Sequence, residues 1–224
     1  MPLKTNKMKI ITSLFDYKQI LHLLAEKGRE QFGNHFQIYN EDLSVLLPVI
    51  AWMLRDEEVA QQFNIDLHKG IFLGGPVGAG KTHVMQLMRL LVPGPFDYEM
   101  HNCDRISTDF ARKGPNILDK YIGNPESRDK HNHLIWCFDD MGREDLAHHY
   151  RTTCEVMKKI LLRRYELFTR YGTVTHITSS LTTVAIEKRY GSEVRSRMRE
   201  MLNRIVYDKD TKDKRAFYLK KTGL

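Results

Sequence analysis

The sequence predicts an α/β fold with three layers, a mostly parallel sheet covered by helices on both faces. Short apolar runs of strand length recur at 70–74, 134–138 and 173–178, as strands buried on both faces require. Longer stretches with apolar residues at helical spacing separate them. A glycine-rich segment, Gly75-Pro76-Val77-Gly78-Ala79-Gly80-Lys81-Thr82, joins the first run to a helical stretch.

Taken in order, residues 1–15 read as a poorly ordered or strand-like lead-in. A helix is expected from Asp16 to Gly28, with Ile20, Leu23, Leu24 and Lys27 near one face and Gly28 near its stop. A second begins after Asn40 as N-cap and runs toward Phe63, with Pro48 kinking or restarting it. Residues 64–67 lead into the strand at 70–74. Val84, Leu87, Met88 and Leu91 mark the helix behind the glycine-rich loop. Pro93-Gly94-Pro95 forces a turn, and Phe96 to Met100 alternates as a second strand. Short helices broken at Gly114-Pro115 fill 105–122, and 123–133 is a polar loop. The strand at 134–138 ends in Asp139-Asp140. A long helix follows, with Val156, Met157, Ile160, Leu161 and Phe168 on one side and Gly172 as its stop. The strand at 173–178 precedes helices at 182–190 and 192–203, split by Gly191. The end of the chain can form one or two short strands.

Bulk composition limits the function. The 224 residues allow one α/β domain with an appendage. The longest apolar stretch, 43–54, holds Ser44 and Pro48 and is too short to span a bilayer. With no signal-like apolar region behind Lys4, Lys7 and Lys9, a cytoplasmic protein without a membrane partner is expected. Cys103, Cys137 and Cys154 form no C-x-x-C pair and read as reduced thiols outside any metal site. Net charge is +7, and residues 184–224 hold twelve Lys/Arg against six Asp/Glu. Such a segment attracts polyanions or only keeps the protein in solution, and charge alone does not choose.

The glycine-rich segment has the full G-x-x-x-x-G-K-T pattern of a phosphate-binding P-loop. Its glycines let successive N–H groups turn inward around phosphate. Lys81 brings a compact positive charge for the β- and γ-phosphates, and Thr82 a hydroxyl for Mg²⁺. In a parallel sheet, the acidic pair at a strand's carboxyl end lies beside that loop. Asp139 can serve the Mg²⁺ shell, and Asp140 can orient and deprotonate a water. Two adjacent carboxylates favour hydrolysis. Ser179-Ser180-Leu181-Thr182 either reaches the γ-phosphate or is a capping turn led by Thr182. Arg195, Arg197 and Arg199 crowd one helix. They form a basic face, or one of them stabilises phosphoryl charge on a neighbouring subunit.

The order G-P-V-G-A-G-K-T-H, F-D-D-M-G, I-T-S-S-L-T and R-Y-G-S-E-V-R-S-R-M-R-E-M resembles AAA+ ATPases of the DnaC/IstB type, which are helicase loaders and transposition helpers. The resemblance covers about 66–207. It implies a P-loop NTPase of the AAA+/ASCE kind, with a helical N-terminal region at 1–65, an ATPase core at 66–207 and a basic tail at 208–224. Nucleotide contacts run from Gly75 to His83. Lys81, Asp140, Ser180 and Arg197 are the implied catalytic residues, with Ser180 at sensor 1, where the family usually has Asn, and Arg197 as an arginine finger acting across a subunit interface. Thr82 and Asp139 are the implied metal ligands. ATP and Mg²⁺ are the implied cofactors. Single-stranded DNA, a replicative helicase or transposase, and further copies of the chain are the implied partners. No full helical lid follows the arginine helix, and Arg215 is not assigned to sensor 2. Alternatives are a P-loop kinase of a small molecule and an ATP-binding switch that seldom hydrolyses, which the short side chain of Ser180 favours.

Overall fold

The computed structural model describes residues 13–123, 135–149 and 152–215. Most of the expected lead-in and polar loop lies outside these residues. Among the described residues, five strands form one sheet: Gly70–Gly74 (β1), Glu99–Asn102 (β2), Trp136–Met141 (β3), Thr175–Ser179 (β6) and Leu202–Val206 (β7). Their order is β2-β3-β6-β1-β7 and every pairing is parallel. A separate antiparallel hairpin joins Ala147–His149 (β4) to Thr152–Cys154 (β5).

Alternation along β1 assigns the layers. Ile71 and Leu73 enter one core, shared with the helices Tyr17–Phe32 (α1), Leu43–Leu54 (α2), Glu57–Gln62 (α3) and Lys81–Met88 (α4). Phe72 enters the opposite core. That core is shared with Cys103–Lys113 (α5), Ile117–Ile122 (α6), Val156–Tyr171 (α7), Thr183–Tyr190 (α8) and Ser192–Met201 (α9). The helices before β1 thus pack directly on the P-loop strand and helix.

Several expected boundaries move, each for a local reason. Asp16 caps α1 by accepting from the N–H groups of Lys18 and Gln19, and the helix runs past Gly28 to Gly33. Gly28 lies inside it because the Phe36 ring leaves no room for a side chain there, while Leu23 is exposed. Asn40 does not cap α2. A short 3-10 turn at Asn40–Asp42 precedes it, with the Asp42 side chain accepting from Tyr39 N. Pro48, the sixth residue of α2, lies within the helix without ending it, and the helix forgoes the bond that an N–H at this position would have made to Ser44 O. The break falls at Arg55, whose backbone turns left-handed (φ +57°) as its guanidinium lies over Trp52 and Phe96. Asp56 then caps α3. The second strand starts at Glu99, three residues late, because Gly94–Phe96 is a 3-10 turn. The hairpin β4–β5 precedes α7. The last helix stops at Met201 and Leu202 opens β7, so Asn203 belongs to the sheet.

Candidate nucleotide site

The P-loop leaves the carboxyl end of β1 and enters α4 at Lys81. Gly80 supplies the left-handed turn into the helix (φ +93°). Gly78 (φ +83°) leaves room for the Asp213 carboxylate, which lies against it. Lys81 is only 5% exposed. Its ammonium donates to Gly75 O and Pro76 O, each at 2.9 Å, and to Ser180 Oγ at 3.2 Å. Burial lowers the pKa of Lys81, and the charges of Asp140 and Asp139 oppose that shift.

The acidic pair sits inside β3 and not after it. Asp139 accepts from Thr82 Oγ1 at 2.9 Å and from Thr178 Oγ1 at 2.7 Å. Burial raises its pKa, opposed by those two hydrogen bonds. Thr178 also accepts from Asp140 N at 2.9 Å. Asp140 takes a left-handed backbone (φ +57°) and pairs with Arg143 at 3.2 Å. Three adjacent strands, β3, β6 and β1, therefore bring Asp139, Asp140, Ser180, Lys81 and Thr82 together. Ser180 accepts from Lys81, and Thr182 caps α8 by accepting from Ala185 N, as expected of a capping turn.

Lys81, Thr82, Asp140 and Ser180 open into one cavity that continues over Phe36 and Ile38. His83 lines it too and stacks on Phe32, with ring centroids 4.1 Å apart. Within the loop, Val77 is exposed and Ala79 fully buried. The apolar recess beside the P-loop suits a nucleobase. Thr82 and Asp139 offer the hard oxygen ligands that Mg²⁺ takes in small number alongside phosphate. Residues 208–215 cross the loop mouth. Lys214 N donates to Gly78 O at 3.1 Å, Lys214 Nζ donates to buried Asp42 at 2.6 Å, and Arg215 lines the cavity while paired to Asp213.

The arginine helix does not line this cavity. Arg197 pairs with Glu193 at 2.7 Å and lies over the Tyr165 ring, and Arg195 pairs with Glu187 at 2.7 Å. A second cleft, on Thr82 and Asp139, is lined by Arg105, Arg112, Lys113 and Lys120. The sequence reading passed over this cleft, as it did Thr178 and Asp42. Only the four cations within sixteen residues, 105–120, could have signalled it.

The strand order and P-loop define a P-loop NTPase fold with a parallel five-stranded sheet. Among solved structures the chain is similar to a DnaC helicase loader, at 16% identity and TM-score 0.52, covering 78% of this chain and 95% of that one. It is also similar to AMPPCP-bound DnaA from Aquifex aeolicus, at 15% identity and TM-score 0.51, of which it spans 53%. No protein-family model and no curated protein matches the chain. At these identities the likeness is one of fold. Among the described residues, no helix is long and apolar enough to cross a membrane.

Proposed function

We propose that the protein is an ATP-hydrolysing AAA+ ATPase that works on single-stranded DNA and recruits or loads a replicative helicase. The observation that carries this reading is the convergence of Lys81, Thr82, Asp139, Asp140 and Ser180 at the carboxyl ends of three adjacent strands. Bound ATP would supply the γ-phosphoryl group to be transferred to water. Lys81 would exchange its loop carbonyls for phosphate oxygens. Thr82 and Asp139 would hold Mg²⁺. Asp140 would take the proton of the attacking water, and Ser180 would orient the γ-phosphate. Arg197 is proposed to act on a neighbouring copy, since it does not line its own cavity.

The cleft with Arg105, Arg112, Lys113 and Lys120 supports a polyanionic partner. The likeness to a DnaC helicase loader supports replication over transposition. The ATP-binding switch is the second reading. The observation favouring it is that Ser180 is already engaged by Lys81.

The test compares Lys81→Ala with Asp140→Asn. Lys81→Ala is expected to lose most ATP binding. Asp140→Asn is expected to bind ATP and hardly hydrolyse it. Wild-type turnover in Asp140→Asn removes the role given to that residue. Negligible turnover in the wild type, with and without DNA, selects the switch. A phosphorylated small molecule in place of free phosphate selects the kinase.

A further inference from the structure

The turn after the acidic pair is held by a buried side-chain cluster that the chemistry above does not use. Between Phe138–Ile177 and Met141–Ser179, β3 takes three steps where β6 takes two. The surplus residue falls at Asp139-Asp140, and Asp140 becomes left-handed (φ +57°). A non-glycine residue stays in that region only when its surroundings hold it there. Thr178 holds it from one side. On the other side Gly142 (φ +102°) donates its N–H to Glu144 Oε2 at 2.7 Å. The second oxygen of Glu144 accepts from the Tyr190 hydroxyl. Arg189 donates to Gly142 O at 2.7 Å and to Glu144 O. Its guanidinium also lies 3.5 Å from the Glu144 carboxylate and 3.7 Å from that of Glu155. Arg189 and Tyr190 are the last two residues of α8.

Glu144 is 1% exposed. Burying a carboxylate beside another, that of Glu155, is costly unless its oxygens are used. An apolar side chain could fill the same space. The use visible here is that both oxygens carry hydrogen bonds, one of them to the turn itself.

We propose that Glu144, clamped by Arg189 and Tyr190, is a positioning residue that keeps Asp140 left-handed and directed into the nucleotide cavity. This inference rests on the ATPase reading above. It also gives α8 a mechanical role. The helix starts three residues after Ser180, and it reaches α9 through Gly191 and through the Arg195–Glu187 bond. One short helix thus ties the water-activating acid to Ser180 and to the arginine helix.

The test uses the full chain and two readouts. In Glu144→Ala, nucleotide affinity and KM are expected to stay near wild type while kcat falls about 10²-fold, the scale of an ~1 Å misplacement. Glu144→Gln, whose amide oxygen still accepts from Gly142, is expected to restore part of the rate. Tyr190→Phe removes one hydroxyl and keeps the ring, so it serves if Glu144→Ala does not fold; its kcat is expected to fall roughly tenfold. Hydrogen–deuterium exchange is the second readout. Peptides covering 139–144 are expected to lose protection in these variants while those covering 75–82 do not. Wild-type kcat in both Glu144→Ala and Tyr190→Phe, or a parallel loss of binding and turnover, overturns the proposal. If the wild type hydrolyses no ATP, the ATPase reading fails and exchange alone decides. Selective loss of protection at 139–144 then supports the clamp, and unchanged protection overturns it.

Discussion

The Thr178 hydroxyl joins both members of the acidic pair, donating to Asp139 and accepting from Asp140 N. Thr178→Val keeps the shape and removes both bonds. Turnover is expected to fall about tenfold or more, the effect of losing two buried hydrogen bonds at a reacting group. Nucleotide affinity should change little, because Lys81 and the loop are untouched. Steady-state turnover alongside a nucleotide titration checks this. The sequence does not single out Thr178, because β6 is buried on both faces and its pattern carries no facing information. His176, two residues earlier, gives a pH dependence. It is fully buried, accepts from Ile71 N through Nδ1, and meets Trp52 edge-on with centroids 4.7 Å apart. Burial lowers its pKa from 6.5 to about 3. Between those values the unfolded chain binds a proton that the folded chain does not. Stability contributed above pH 6.5 is therefore lost as pH falls, with a slope of up to ~1.4 kcal/mol per pH unit. Urea unfolding across pH 4–7 should show this slope, and His176→Gln should flatten it.

Among the elements, the P-loop and its flanks were the most legible, because strand, glycine turn and helix each carry their own pattern over 70–88. Legibility was lower where a pattern signal competed with a contact from elsewhere. Pro48 signals a break, yet the chain breaks at Arg55, where an aromatic pair binds the guanidinium. Leu202 to Val206 continues a helical pattern but pairs with β1 along its whole length. The hairpin β4–β5, of three residues a side, is too short for alternation to register. The sequence marks the segment after β7 as a basic tail that can form short strands, and neither signal points to a contact with the P-loop. Its Lys214 reaches Asp42, whose carboxylate is buried beneath the P-loop mouth. Lys214→Met would leave that carboxylate with Tyr39 N but without its counter-ion. Removing one partner of a buried pair costs about 3 kcal/mol or more, and solvent access to the ammonium should bring the loss nearer ~2. Chemical denaturation measures it, and Asp42→Asn combined with Lys214→Met should recover part of the loss.

At the scale of the whole molecule, oligomer and DNA partner are both testable by mixing and by salt. Asp140→Asn subunits keep Arg197 with a dead site. Arg197→Ala subunits have an intact site and no arginine to offer. Co-assembled, the two are expected to recover part of the wild-type turnover, because some interfaces then pair a live site with an arginine. The rate lost with such an arginine is roughly 10³-fold or more, so modest recovery stands above background. No recovery in mixtures shown to co-assemble moves the role to Arg195 or Arg199, or off this helix. For DNA, affinity for single strands should fall with salt, with a log–log slope of about −0.7 per phosphate neutralised. Replacing Arg105, Arg112, Lys113 and Lys120 together with Ala should flatten that slope if the cleft beside Asp139 is the contact. An unchanged slope places the contact on the basic segment near the end of the chain.

The parallel sheet also sets a timetable for synthesis. The P-loop strand lies between β6 and β7, whose residues arrive roughly a hundred or more positions later. Parallel neighbours so distant in sequence are slow to find one another. A ribosome-held chain halted before Leu202 has a phosphate loop whose strand is open along one edge. Such an edge invites pairing with other chains. The nascent protein is thus exposed to misassociation until β7 emerges, and ATP added to stalled chains should begin to protect them from proteolysis only past that point.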